Sequence, residues 1–144
     1  MANTIKLRGD YVLEEADAAS AVSPGNLCEF DSSGDVQVHS TSGGACLPMW
    51  ALEDSLQGKT IDDAYTTANR VQLGIFRSGD LVNALIADGE DIDIGDKLVS
   101  DGAGALREMT SADEEGALRA IAMEAKDMTG SAVVAADHAK VMVV

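Results

Sequence analysis

Arg70-Val-Gln-Leu-Gly-Ile-Phe-Arg77, Ser-Gly-Asp80, Leu81-Val-Asn-Ala-Leu-Ile-Ala87, Asp-Gly-Glu-Asp91, Ile92-Asp-Ile-Gly-Asp96, Lys97-Leu-Val-Ser100, Asp-Gly-Ala-Gly104 and Ala105-Leu-Arg107 run in unbroken succession and decide the fold. Short β-prone runs separated by Gly-Asp or Asp-Gly pairs predict strands joined by tight turns, because these residues accept the backbone angles that close a hairpin. Working outward, Thr4-Ile-Lys-Leu-Arg8 alternates apolar and basic residues and predicts a strand that Gly9-Asp10 ends. Leu27–Phe30 and Val36–His39 flank Asp31-Ser-Ser-Gly-Asp35 and predict a hairpin, and Ser23-Pro-Gly25 predicts a turn. Leu47–Glu53 reads as a mostly apolar strand with Pro48 at an edge, and Lys140–Val144 as a terminal β-prone run.

Two segments resist this reading. Residues 54–69 are irregular, with Gly58 against a long helix and Ile61–Tyr65 as a single helical turn within an excursion between two parts of the sheet system. Thr110–Met128 carries conflicting signals. Ser111-x-x-Glu114 is a capping-box pattern followed by good helix formers, whereas Gly116 and the upstream turn rhythm favour a strand. In the strand alternative, Arg119, Ile121 and Met123 share one face.

Composition narrows the class. A chain of 144 residues with 46% hydrophobic content is sized for one domain with a core of its own. No apolar run reaches the roughly 20 residues that a membrane helix needs, and the N-terminus lacks the apolar stretch of a secretory signal, so synthesis in the cytosol is expected. With 25 acidic against 10 basic residues the net charge is −15, which opposes binding to nucleic acid or anionic membranes. Residues 1–9 are the exception: Lys6 and Arg8 stand there with no acid. The fold class that follows is mainly β, a compact barrel or sandwich-like domain over residues 16–144, with an extended N-terminal arm over residues 1–15 and at most short helices. Lys6 and Arg8 are either the wet face of an edge strand or part of an arm that adds to a neighbour's sheet. In the second case the candidate partner-binding residues are Ile5, Lys6, Leu7, Arg8 and Tyr11.

Chemistry-bearing constellations are sparse. Asp88–Asp96 is dense in carboxylates, but counting from Asp91 puts Gly95 and Gly102 where a calcium-binding loop needs its fifth and twelfth residues, so a solvated acidic turn is expected. A zinc site requires His39, His138, Cys28 and Cys46 to converge from four separate segments, and no metal or cofactor is expected. Cys28 and Cys46 have no Cys-x-x-Cys partner; reduced thiols are the expectation, a disulfide the alternative. His39-Ser40 among aspartates contains the ingredients of a catalytic triad, yet there is no Gly-x-Ser-x-Gly elbow, and Gly102-x-Gly104 is a fragment of a dinucleotide fingerprint. Trp50 reads as core, with an exposed partner contact as the alternative.

A resemblance adds to this picture. Leu52-Glu-Asp-Ser-Leu-Gln57 leads through Gly58-Lys-Thr-Ile-Asp-Asp-Ala-Tyr65 to Arg70-Val-Gln72, followed by Phe76-Arg-Ser-Gly-Asp80, Ala87-Asp-Gly-Glu90 and Ile94-Gly-Asp-Lys-Leu98. With Ile5-Lys-Leu-Arg-Gly9 and Ala120-Ile-Ala-Met-Glu-Ala125, this order of strands and turns resembles the head decoration, or cement, proteins of tailed bacteriophages across almost the whole chain. The resemblance implies a non-enzymatic virion protein, made in the host cytoplasm, on the outer surface of the expanded capsid. It further implies bridging of major capsid protein subunits and homotrimers at three-fold and quasi-three-fold axes. It also turns residues 117–125 towards a strand. The competing class is an enzyme, for instance a small β-barrel hydrolase, for which the sequence offers no plausible nucleophile–base pair. A third is a β-rich ligand- or carbohydrate-binding module, which exposed aromatic platforms would favour.

Overall fold

A computed structural model describes residues 3–130 and 135–144. Its strands in chain order are β1 (Lys6–Arg8), β2 (Val12–Asp17), β3 (Cys28–Phe30), β4 (Val36–Val38), β5 (Met49–Ala51), β6 (Arg70–Ile75), β7 (Leu81–Ile86), β8 (Asp91–Ile92), β9 (Lys97–Ser100), β10 (Leu106–Glu108), β11 (Ala120–Ala122), β12 (Lys126–Asp127) and β13 (Asp137–Val143). The only helical elements among the described residues are short 3-10 turns at Ser55–Gln57 and Glu115–Ala117. The chain is therefore mainly β, as its turn rhythm predicts.

Five strands close into a barrel in the order β7-β10-β9-β11-β13, with β13 returning to pair with β7 from Asp137↔Ile86 to Met142↔Leu81. β13 shows why the sequence folds this way. Ala139, Val141 and Val143 point into the barrel and are buried, while His138, Lys140 and Met142 alternate with them on the outer side. β11 contributes Ala120 and Ala122 to the same interior, pairing with β9 on one side and β13 on the other. Alanine's high helix propensity is overridden because only small side chains fit between two flanking strands that carry Leu98 and Val143. The strand expected over 117–125 is thus present but confined to Ala120–Ala122. The capping-box candidate forms no helix: the Asp113 carboxylate takes the Thr110 N–H and hydroxyl, and a 3-10 turn follows.

β7 is the strand with most partners. One edge belongs to β13; on the other, β1 pairs with Leu81 and Val82, and β10 pairs in parallel only at Ile86. Between them the Asn83 N–H donates to the Ile5 carbonyl and the Leu85 N–H to the Gly25 carbonyl. Ile5 is fully buried in the barrel core with Trp50, Leu98 and Leu106. Residues expected as an extended arm therefore lie in the barrel wall at Ile5–Arg8, and the boundary drawn between residues 15 and 16 falls inside β2.

A second layer sits beside the barrel. β2, β6 and β5 form an antiparallel sheet whose β5 and β6 send Trp50 and Gly74 towards the barrel and Met49, Ala51, Val71 and Leu73 towards the β3–β4 hairpin. Cys28 and Val36 of that hairpin complete a second small core. The hairpin turn follows the sequence closely, with the Asp31 carboxylate accepting from the Ser33 and Asp35 N–H groups. In the 54–69 excursion, the helical turn expected at Ile61–Tyr65 does not form. Asp63 takes the Thr60 N–H and hydroxyl in a tight turn instead, and the Tyr65 hydroxyl donates to the Leu52 carbonyl at 2.6 Å.

Ile5 gives the barrel its sharpest stability test. Ile5→Ala removes a fully buried branched side chain from the seam and is expected to lower unfolding free energy by about 2–5 kcal/mol. Leu56→Ala, at a side chain 96% exposed, is expected to change it by no more than about 0.5 kcal/mol. Urea denaturation of the two variants measures both; equal effects would mean that Ile5 does not hold the wall.

Candidate functional site

The N-terminal candidates separate into support and surface. Ile5 is core, and its N–H donates to the Glu53 carboxylate at 3.0 Å. Lys6 is exposed with its ammonium 5.5 Å from the centre of the Tyr11 ring, a distance at which a cation is attracted to the ring face. Tyr11 is half-buried against Phe76 with ring centres 5.3 Å apart, and Phe76 meets the fully buried Trp50 edge-on at 5.9 Å. Leu7 is half-buried and Arg8 exposed. Gly9 lies against Asp80 so closely that a Cβ there would collide with the carboxylate, and Asp80 in turn accepts from the Arg77 N–H. Lys6, Arg8 and Arg77 are all exposed. None of the three forms an ion pair among the described residues.

Leu7 also lines a groove of about 930 Å³, with Glu53, Lys59, Asp62, His138 and Lys140 on its walls. One ion pair forms among its charges. Lys126 reaches Asp137 at 2.7 Å and holds that carboxyl below its usual range, and the Lys140 N–H donates to Glu124. His138 Nε2 lies 2.9 Å from the Pro24 carbonyl oxygen and is thereby committed to the fold.

The constellation that sequence spacing did not reveal lies elsewhere. His39 Nδ1 and Ser100 Oγ stand 2.6 Å apart, although 61 residues separate them, and Glu29 Oε2 is 3.7 Å from His39 Nε2. The elements of a Ser–His–Glu set have thus converged, with Ser100 rather than the adjacent Ser40 beside the imidazole. Ser100 is fully buried and His39 is 2% exposed, so no substrate atom reaches the hydroxyl. Ser100 Oγ also accepts from the Gly102 N–H, and the Ser100 carbonyl accepts from Gly43. Burial disfavours the Glu29 carboxylate, but hydrogen bonds from Ser40 and Gln37 outweigh it and hold the group below its usual range. These contacts tie the β3–β4 hairpin to β9; they satisfy buried polar groups and do not build a catalytic centre.

Both cysteines are free thiols. Burial pushes Cys28 up to about 12, and burial also raises Cys46, against the opposing charge of Arg119. Among the described residues no three His, Cys, Asp or Glu side chains converge as metal ligands. In the acidic stretch the Asp96 carboxylate instead accepts from the Asp93 N–H. Among the described residues, no helix is long and apolar enough to cross a membrane.

The buried Ser100–His39 pair has two measurable consequences. Ser100→Ala leaves a buried imidazole nitrogen without its partner and is expected to cost about 1–3 kcal/mol in urea unfolding. A fluorophosphonate probe is expected to leave Ser100 unlabelled in the native protein, whereas labelling at Ser100 would restore the hydrolase reading.

No protein-family model matches the chain, and no curated protein matches it. Among solved structures it is similar to the N base of head fiber gp8.5 of bacteriophage phi29, with a TM-score of 0.62 at 12% sequence identity. The match covers 94% of this chain and 95% of that one. The sequence resemblance to head decoration proteins is therefore not carried by a family model; the shared property is the fold, which extends over nearly the whole of both chains.

Proposed function

We propose that this chain is a structural virion protein that binds the outer surface of the expanded phage capsid and stabilises it by bridging major capsid protein subunits. The observation that carries the reading is the end-to-end fold similarity to the base of a phage head fiber, which agrees with the independent sequence resemblance to capsid cement proteins. Enzymatic chemistry has no support of its own, since in the Ser–His–Glu grouping among the described residues the serine and histidine are buried.

The contact surface in this reading is β1, where Lys6 and Arg8 stand exposed, Lys6 over the Tyr11 ring. Ile5 and Leu7 serve it indirectly, by fixing β1 in the barrel wall. Exposed positive charge on one strand orients a strongly acidic protein as it approaches a lattice, which raises association rate more than final affinity. Binding one lattice state and not the other stabilises the bound state by RT ln(1 + [L]/Kd), about 2.7 kcal/mol at a hundredfold excess over Kd. A homotrimer on a three-fold axis would strengthen weak single contacts through effective concentration.

Matched capsid shells, unexpanded and expanded, test the proposal. The protein is expected to bind expanded shells more tightly and to raise their disruption temperature. Lys6→Glu with Arg8→Glu is expected to slow association and weaken binding about tenfold, while the isolated protein keeps its melting temperature. Equal binding to both shells, with no shift in disruption temperature, rejects the clamp mechanism. Sedimentation of the free protein reports whether trimers precede capsid binding.

A further inference from the structure

β2 is the outermost strand of the β2-β6-β5 sheet, and its free edge is unusually open. Val12, Leu13, Glu14 and Glu15 are all exposed, on both faces of the strand. The bonding pattern fixes which backbone groups are free. Ala18 exchanges hydrogen bonds with Asn69 and Ala68 on the β6 side, so Ala16, Glu14 and Val12 face β6, and Leu13 and Glu15 face outward. Among the described residues the first hydrogen bond on the outer side comes at Ala19, whose N–H donates to the Val36 carbonyl. No proline lies in β2 and its pairing with β6 runs from Val12 to Asp17 without a register shift, so what guards this edge against a like strand is the negative charge of Glu14, Glu15 and Asp17.

We infer that the free edge of β2 receives an extended segment of another polypeptide, with two basic residues followed by two apolar ones paired against Glu15, Glu14, Leu13 and Val12. The chemistry of that segment follows from the edge. Over Val12–Glu15 each face of β2 carries one apolar and one acidic side chain, Val12 and Glu14 on one and Leu13 and Glu15 on the other, with Asp17 adding a second acid to the latter face. A strand added antiparallel therefore meets two carboxylates first and two apolar side chains next, and cross-strand pairs of opposite charge stabilise the register. Glu15 shares Arg70 with Asp17, whereas Glu14 has no ion pair among the described residues, which leaves the edge net negative. A second copy is a poorer occupant. Its own β2 would bring acidic residues against an acidic edge. Its basic β1 spans three residues, with a register shift between Lys6 and Arg8 that bends it away from regular pairing. This inference rests on the capsid-binding reading only for the identity of the partner, which would then be an extended segment of the capsid protein.

The test uses capped seven-residue peptides: TKKVITT, its acidic counterpart TEEVITT, and TKKVITT N-methylated at alternate residues. Wild-type protein is expected to bind TKKVITT at least tenfold more tightly than TEEVITT, with hydrogen-exchange protection appearing at the Leu13 and Glu15 amides. N-methylation on the pairing edge is expected to abolish binding. Leu13→Pro removes an outward N–H at a position where an edge strand tolerates proline, and is expected to lose the peptide while keeping its melting temperature. Glu14→Lys is expected to weaken TKKVITT severalfold and serves as the second variant should the proline variant fail to fold. Equal affinity for the basic and acidic peptides, or binding indifferent to N-methylation, overturns the inference. So does concentration-dependent self-association that protects the same amides without peptide. Loss of peptide with unchanged shell binding in Leu13→Pro separates the two readings: the capsid proposal stands and the capsid segment as occupant falls.

Discussion

The barrel depends on how the second edge of β7 is satisfied. A strand buried on both faces cannot leave N–H groups without acceptors, since each buried orphan costs on the order of a kcal/mol or more. β10 reaches β7 only at Ile86, and two further N–H groups, at Asn83 and Leu85, point into the gap. The carbonyls of Ile5 and Gly25 fill it. Gly25 has φ near +93°, and a Cβ there would sit 2.7 Å from His138 Nε2, so glycine alone fits this point of the wall. Asn26 then locks the wedge, accepting from the Ser23 N–H and donating to the Gly104 carbonyl at 3.1 Å. Two segments distant from β7 in sequence thus complete a barrel whose five named strands would otherwise leave a slot.

This arrangement explains why the polar groups in the interior are structural. The loop after β4 packs over the loop after β9, with the Gly43 N–H donating to Ser100 and the bidentate Arg107–Asp113 pair at 2.7–2.8 Å beside it. Arg107 holds Asp113 well below the usual carboxylate range, so the pair stays ionised across ordinary conditions and its contribution fades only as acid protonates Asp113. Beneath that cover, Ser100 and His39 satisfy one another. The barrel interior is filled by Ala84, Ala120, Ala122 and Ala139 among larger aliphatic residues, which keeps the five-strand wall narrow and leaves no room for a ligand inside.

Much of the secondary structure was legible because it is local. The Asp31–Asp35 turn, the strands on either side of Ser78–Asp80 and the alternation in β13 are written in consecutive residues, and a turn or an alternating strand needs no more than that. Residues 117–125 carried two opposed local signals, and only the space between β9 and β11's other neighbour, β13, decides that Ala120 and Ala122 are strand. β2 escaped notice because its exposed end reads Val-Leu-Glu-Glu, with neither the alternation of a half-buried strand nor the run of a buried one. Of the surface residues, Lys6 and Arg8 were found from charge and Tyr11 lies with them, but the burial of Ile5 depends on β7's unpaired edge, which no neighbouring residue encodes. The His39–Ser100 pair is invisible for the same reason: its partners meet only after the hairpin has folded over the barrel.

The same reasoning bears on how a fold persists at 12% identity over nearly its whole length. The elements that fix this architecture are backbone hydrogen bonds along β7, small residues where strands crowd and a glycine where the wall is wedged. Those requirements constrain geometry at few positions and composition at many, so side chains elsewhere are free to drift while the barrel stays. Surface charge and edge character are not held by the fold at all. Lys6, Arg8 and the open edge of β2 belong to the part of the chain that packing leaves unconstrained, and a barrel with no accessible interior leaves partner choice to such features.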